Sequence, residues 1–461
     1  MNILRQSKFL FLLLPALLIF FSQTSFALDK FYGKQATEAR LSFESRIKLK
    51  SNRVITLKDL KRDSASKRWV VKNLYRQIPH LIGLFNSQSF IKEVGVSGVT
   101  GELYDIQYNK VLDLGNGQYI VHYSYSGKTV FDRKIFYKGP SVTIPIKLPL
   151  SPYEIYNLGV KRGVNHCTDD HYNSEGDFFY FWDIGMKGCP LKHDKVNVVW
   201  TEGKLERLNN TKQTYPEYDR LYRQGQALKI SVFVGYLNDD LDYVHFPKDD
   251  PGPDGFWEME NKIKQLGFKL TDKKDYFSLD ENSRQEHGIN FLRVYERQVE
   301  NAFGQMMTVQ VEMLLSDTAI ESPDATFHKY LTKAFESSQI VAYDGHSGLG
   351  GNLDIESLPE FKLNPGLYQI FFFNGCSSYP YFNGQFFRAK GGSENLEIIT
   401  AGTPTLSDTA ADNMLAVLNN FLTGDIRSYQ LIMDSLERSN GETETYLMGV
   451  NGDEDNQWQD N

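Results

Sequence analysis

The sequence predicts an α/β fold with a largely parallel sheet, preceded by a β-rich region, and three observations predict it. Short apolar runs recur between residues 196 and 440: Val196 to Trp200, Ile230 to Tyr236, Val309 to Leu315, Ile340 to Tyr343, Tyr368 to Phe373 and Leu396 to Ala401. These short runs alternate with amphipathic segments at helical spacing, as expected of a largely parallel sheet whose strands are covered on both faces. Between residues 28 and 195 the pattern differs, with β-branched and aromatic stretches divided by turn residues, which reads as an antiparallel sheet.

In chain order, the first 27 residues form a signal peptide. Arg5 and Lys8 supply a basic start, Phe9 to Phe21 is apolar apart from Pro15, and Ser25-Phe26-Ala27 fits a small-x-small cleavage site that leaves Leu28 first. The apolar run is shorter than the roughly 20 residues that a membrane span needs. A helix follows around Ser66 to Ile78, where Val70, Leu74 and Ile78 share one face. Tyr119 to Tyr125, Val130 to Tyr137 and Val142 to Lys147 are the expected strands, with Gly127 and Gly139-Pro140 as breaks.

In the second region, Phe256, Met259, Ile263 and Leu266 lie on one helical face. Asp324 is the expected N-cap for a helix burying Phe327, Leu331, Ala334 and Phe335. Asp408 precedes another that buries Ala411, Met414, Leu415, Leu418, Phe421 and Leu422. Phe291 to Val299 and Met306 to Leu315 flank Asn301 to Gly304 as an inserted hairpin. Residues 441–461, acidic and polar, are expected as a loose tail.

The chain has 461 residues, enough for two or three domains, and its 41% hydrophobic and 23% charged content excludes disordered and coiled-coil classes. Fifty basic against 58 acidic residues give a net charge of -8 with no long run of one sign, which argues against a nucleic-acid partner. No stretch after the leader approaches membrane length. The mature protein is therefore expected without a transmembrane anchor, in the periplasm or outside the cell.

Three cysteines divide into a pair and a single. Cys167 and Cys189 lie in a Gly- and Asp-rich stretch, and in an oxidising compartment a disulfide is the default. A competing reading takes them with His166, Asp169, Asp170, His171 and His193 as a metal cluster, but the spacing matches no standard zinc pattern. Cys376 closes the run Tyr368 to Phe373 through Asn374-Gly375. Ile340 to Tyr343 ends in the same way, running into Asp344-Gly345-His346-Ser347-Gly348. If these two strands are parallel neighbours, His346 and Cys376 emerge side by side at the carboxyl edge of the sheet, where sites on α/β folds assemble. A thiol beside an imidazole that takes its proton and later returns one is what nucleophilic catalysis requires. Gly348 and Cys376 are the expected backbone donors of an oxyanion hole.

A serine nucleophile is the rival chemistry. Gly345-His346-Ser347-Gly348-Leu349 approaches the nucleophile elbow G-x-S-x-G, but Leu349 stands where the second glycine belongs. No histidine follows His346 to complete a triad.

A strand ending in Gly345-His346, followed about 30 residues later by one ending in Gly375-Cys376-Ser377-Ser378, resembles the clan of cysteine peptidases that includes caspases, gingipains, clostripain, legumain and separase. The nucleophile motif is closest to the separase form, and the leader is more like the gingipain and clostripain branches. The resemblance spans residues 196–435, its specific signal being the two motifs. It implies a caspase-like three-layer α/β/α domain, a Cys376-His346 dyad, a polypeptide substrate and cleavage after one preferred residue type. By the same analogy, residues 28–195 are an inhibitory pro-segment or a substrate-docking domain. Ser347 departs from the clan, which usually has Gly after the histidine, and a catalytically inactive binding module is the alternative that this departure raises. No cofactor is needed for the chemistry. Asp239, Asp240, Asp242, Asp249, Asp250 and Asp254 could hold Ca2+, but their spacing fits no EF-hand and a solvated loop before a helix is expected.

Overall fold

The computed structural model describes residues 35–161, 164–165, 167–168, 179–208, 213–223, 225–238, 249–275, 290–318, 325–348, 352–356, 361–439 and 446–460. Residues 1–27, the expected signal peptide, lie outside them. Two sheets of different construction form a mixed α/β architecture, and the second sheet is partly parallel.

The first sheet is antiparallel. Its strands are β1 (Ala36–Lys50), β2 (Gly98–Gly115), β3 (Gln118–Asp132) and β4 (Ser141–Pro149), joined after the short pair β5 (Val160–Lys161) and β6 (Val164–Asn165) by β7 (Val198–Arg207), in the order β2-β3-β1-β7-β4. Alternate residues of β3 are buried, the period that strand geometry imposes on a one-sided sheet. The buried face meets the helices Ala65–Gln77, His80–Asn86 and Gln88–Val94 in a core containing Val70, Leu74, Phe85, Phe90, Tyr123 and Trp182. Ser64 and Ser87 cap two of these helices, accepting from the Lys67 and Phe90 backbone N–H groups.

Two sequence expectations change here. β3 runs through Gly127 to Asp132 without a break. A Cβ at Gly127 would come 2.3 Å from the Tyr125 hydroxyl, so the glycine makes room for a packed ring rather than a turn. The run Val196 to Trp200, grouped by its composition with the second region, instead opens β7 and pairs with β4, while Gly203 to Arg207 pair with β1, so the first sheet extends to Arg207. Val198 enters the first core, whereas Val196 and Trp200 are exposed.

The second sheet comprises β8 (Leu228–Gly235), β9 (Lys269–Asp275), β10 (Phe291–Glu300), β11 (Met306–Ser316), β12 (Ile340–Asp344), β13 (Gln369–Asn374), β14 (Leu396–Thr400) and β15 (Gly449–Asn451). Their order is β15-β14-β13-β12-β8-β11-β10-β9. The strands from β14 across to β11 are mutually parallel, whereas β15, β10 and β9 pair antiparallel. The expected hairpin is β10–β11, and its second strand also joins the parallel set.

Helices cover both faces of this sheet. Ile230, Val232, Ala342, Ile370 and Phe372 meet the helices Pro251–Gln265, Ala410–Thr423 and Tyr429–Ser439. Phe233, Val341, Phe371 and Phe373 meet Ala325–Ser337 and Gly384–Lys390 on the other side. Burial on both faces is why these strands lack polar alternation. The expected N-cap Asp324 falls outside the described residues. The segment after residue 445 is not a loose tail over its first half: Tyr446, Met448 and Val450 are buried, β15 closes the edge against β14, and Trp458 packs against Tyr215 and Tyr218. Apolar residues spaced through an acidic stretch are enough to hold it down.

Candidate functional site at the carboxyl edge of the parallel strands

β8 is the first parallel strand in the chain; β11 lies on one side of it and β12, β13 and β14 on the other. The order of the parallel strands reverses beside β8, and such a switch point is the usual place for a site on an α/β sheet. Asp344 and Asn374 are direct partners in the β12–β13 ladder. His346 and Cys376 each follow two residues later, so the two turns leave the sheet at the same level on neighbouring strands, about 4.8 Å apart in the hydrogen-bonding direction. The turns touch. A Cβ at Gly375 would lie 3.0 Å from the Gly345 carbonyl oxygen and 3.5 Å from the Ser347 nitrogen, so glycine eases this close approach.

His346 is exposed and Cys376 half-buried. The ring Nε2 of His346 lies 2.8 Å from the Leu237 carbonyl oxygen. A carbonyl only accepts, so this bond requires the proton on Nε2 and leaves Nδ1 with its lone pair. Leu237 is itself held: the buried Asp250 carboxylate accepts from the Leu237 N–H at 2.9 Å, from Asn238 at 2.8 Å and from Gly252 at 2.8 Å, capping the helix Pro251–Gln265. The Tyr343 hydroxyl donates to the His346 carbonyl at 2.6 Å and is bonded to Thr318 at 2.9 Å. The ring of His346 is therefore fixed from just beyond the neighbouring strand β8, and its backbone from Tyr343 of β12, the strand it follows.

On the other side of β13, Thr405 follows β14. The Cys376 Sγ lies 3.7 Å from the Thr405 carbonyl oxygen and 4.0 Å from its hydroxyl. Ser378 braces the turn, donating from its hydroxyl to Phe373 and accepting from the Ala401 N–H, both at 2.9 Å. Among the described residues, no backbone acceptor takes the Cys376 N–H. Gly348, the other expected oxyanion donor, has φ 54°, a left-handed conformation suited to glycine.

Beneath the turns, the Asn374 amide donates to the Asp344 carboxyl at 2.6 Å. Asn413 donates to Asn374 at 3.3 Å, and Ser439 to Asn413 at 2.7 Å. Burial pushes the Asp344 carboxyl up to about 7, against the lowering effect of the Asn374 bond.

The remaining candidates divide. Cys167 and Cys189 form a disulfide, so neither sulfur is available to a metal, while His166, Asp169, Asp170 and His171 lie outside the described residues. Ser347 is buried, at 4% exposure. Asp250 is a buried cap rather than part of a solvated loop, because three backbone N–H groups converge on it; Asp239, Asp240 and Asp242 lie outside the described residues. Leu237, Tyr343 and Thr405 were not foreseen. Leu237 and Thr405 act through backbone oxygens, which carry no side-chain signature, although the acid-Pro pair Asp250-Pro251 does announce a helix start. Comparison of the chain with protein-family models, with curated proteins and with solved structures found no match.

Proposed function

We propose that the chain is an exported cysteine endopeptidase of caspase-like construction, with Cys376 as nucleophile and His346 as general base. The register of β12 and β13 is the observation that carries this reading, because it delivers an imidazole and a thiol from equivalent positions of adjacent parallel strands. The five parallel strands with helices on both faces suit the α/β/α sandwich of that clan. A disulfide, with no helix among the described residues long and apolar enough to cross a membrane, is compatible with a destination in the periplasm or outside the cell.

In the proposed reaction, Nδ1 of His346 takes the Cys376 proton and the thiolate sulfur attacks the scissile carbonyl carbon. The Gly348 and Cys376 N–H groups receive the resulting oxyanion. The C–N bond then breaks, the amine leaves with the proton from His346, and water hydrolyses the thioester to restore the thiol. The Leu237 carbonyl fixes the tautomer that this sequence needs and stabilises the imidazolium formed on the way.

A set of peptidyl acyloxymethyl ketones differing in the residue next to the warhead tests this. Such a probe should add its peptidyl mass to Cys376 in the parent, and His346→Ala should slow labelling by about 100-fold or more. Failure of every probe to label Cys376 in folded protein would leave the inactive binding module as the better account.

A further inference from the structure

The turn that bears Cys376 is held by the other half of the molecule. Ser377, immediately after the cysteine, has φ 48° and is 1% exposed, an unusual conformation for a non-glycine residue that its surroundings must enforce. Its N–H donates to the Thr403 carbonyl at 3.0 Å, and its hydroxyl accepts from the Tyr180 hydroxyl at 3.3 Å across 197 residues of sequence. Tyr180 is buried as well.

The segment around Tyr180 is itself anchored to the first sheet. The Trp182 indole donates to the Lys147 carbonyl at 2.9 Å. The Asp183 N–H donates to the Cys167 carbonyl at 3.0 Å, and the Asp183 carboxylate takes the Ser89 hydroxyl and N–H. Gly83 on the helix His80–Asn86 sits so close that a Cβ there would meet the Phe179 carbonyl oxygen at 2.3 Å. The Cys167–Cys189 bridge closes over this segment. Two residues beyond Ser377, Tyr379 packs into an apolar cluster with Ala36, Val99, Val130 and Leu447, so the first sheet also supports the far side of the turn.

We propose that Tyr180 is a positioning residue for Cys376: by holding Ser377 in its left-handed conformation, it aims the thiol that the second sheet presents. The first sheet and its bridged segment thereby complete the site, and removing them would disorder the nucleophile turn rather than unmask it. This inference rests on Cys376 being the nucleophile proposed above, and its test reads the thiol directly.

The experiment measures the rate and pH profile of iodoacetamide alkylation at Cys376, by mass spectrometry of the peptide that contains it, in the full chain. Parent, Tyr180→Phe, Ser377→Ala and His346→Ala proteins are compared, with a melting curve for each. Tyr180→Phe and Ser377→Ala should alter the alkylation rate to a similar extent, about fivefold for one lost hydrogen bond, and move the pH profile while the melting temperature stays near that of the parent. An alkylation profile identical to the parent in both variants would overturn the proposal, as would a lowered melting temperature with no change in the profile. If Tyr180→Phe alone fails to fold, Ser377→Ala carries the same test from the other side of the bond. Loss of the function proposed above would show separately, as an alkylation rate indifferent to His346→Ala, whatever Tyr180→Phe does.

Discussion

His346 and Leu237 meet at 2.8 Å, ring Nε2 to backbone carbonyl oxygen, across the point where the order of the parallel strands reverses. The bond assigns the ring its tautomer, and Asp250 fixes the carbonyl by gripping the Asn238 N–H of the same peptide unit. Asp250→Ala should lower stability by about 1 to 2 kcal/mol through the lost cap. It should also slow labelling of Cys376 by about tenfold, since loss of orientation is costly to a reacting pair. Urea unfolding and probe labelling measure the two effects separately. A labelling rate equal to the parent would detach Asp250 from the site.

Asp344 links the site to pH. Its carboxyl titrates near 7 in the folded protein, against an ordinary value of 3.8, so the folded state keeps a proton that the unfolded chain releases in between. This contribution to stability is complete below 3.8 and is lost as pH rises through 7, at up to about 1.4 kcal/mol per pH unit. Asp344→Asn keeps an oxygen to accept from Asn374 and has no proton to lose. Its stability relative to the parent should therefore improve from pH 4 to 7 and level off above that, as read by urea unfolding across the range. Parallel curves for the two proteins would contradict the assignment.

His80 acts in the opposite sense. Complete burial beside Trp182 holds its imidazole down to about 3, below its usual 6.5, although Nδ1 donates to the Gln77 carbonyl at 3.1 Å. The unfolded chain takes up the proton first, so stability is present above 6.5 and drains as pH falls toward 3. His80→Leu should start less stable at pH 7 yet lose less between pH 6.5 and 4. Acid-induced loss of near-ultraviolet circular dichroism, dominated by residues such as Trp182, reports the difference.

The Cys167–Cys189 bridge spans 22 residues, and replacing both cysteines with serine should cost about 3 kcal/mol. Thermal melting of the double variant checks this. An unchanged transition would mean that the hydrogen bonds from Trp182 and Asp183 already hold the segment.

Much of this arrangement was legible in the sequence, for reasons particular to each element. β12 and β13 announced themselves because both faces are buried, leaving Ile340 to Tyr343 and Gln369 to Phe373 nearly free of charge. Their adjacency is a matter of tertiary pairing, Asp344 with Asn374, which no local pattern encodes. β9 was invisible because it is an edge strand of Lys, Asp and Thr with most of its side chains in solvent. β15 was hidden in an acidic segment, since three residues are too few to show a period. Tyr180 and Ser377 could not have been paired by any local pattern, for their contact is set by how the two sheets meet. Gly127 misled because a glycine that accommodates a ring and one that makes a turn look alike in sequence.

Cleavage of a mixed peptide library by the purified protein without residues 1–27, beside the Cys376→Ala and Ser347→Ala variants, tests Cys376 as the nucleophile. The account predicts cleavage by the parent, none by Cys376→Ala at equal folding, and retained cleavage by Ser347→Ala. Cleavage that survives loss of the Cys376 sulfur would contradict it.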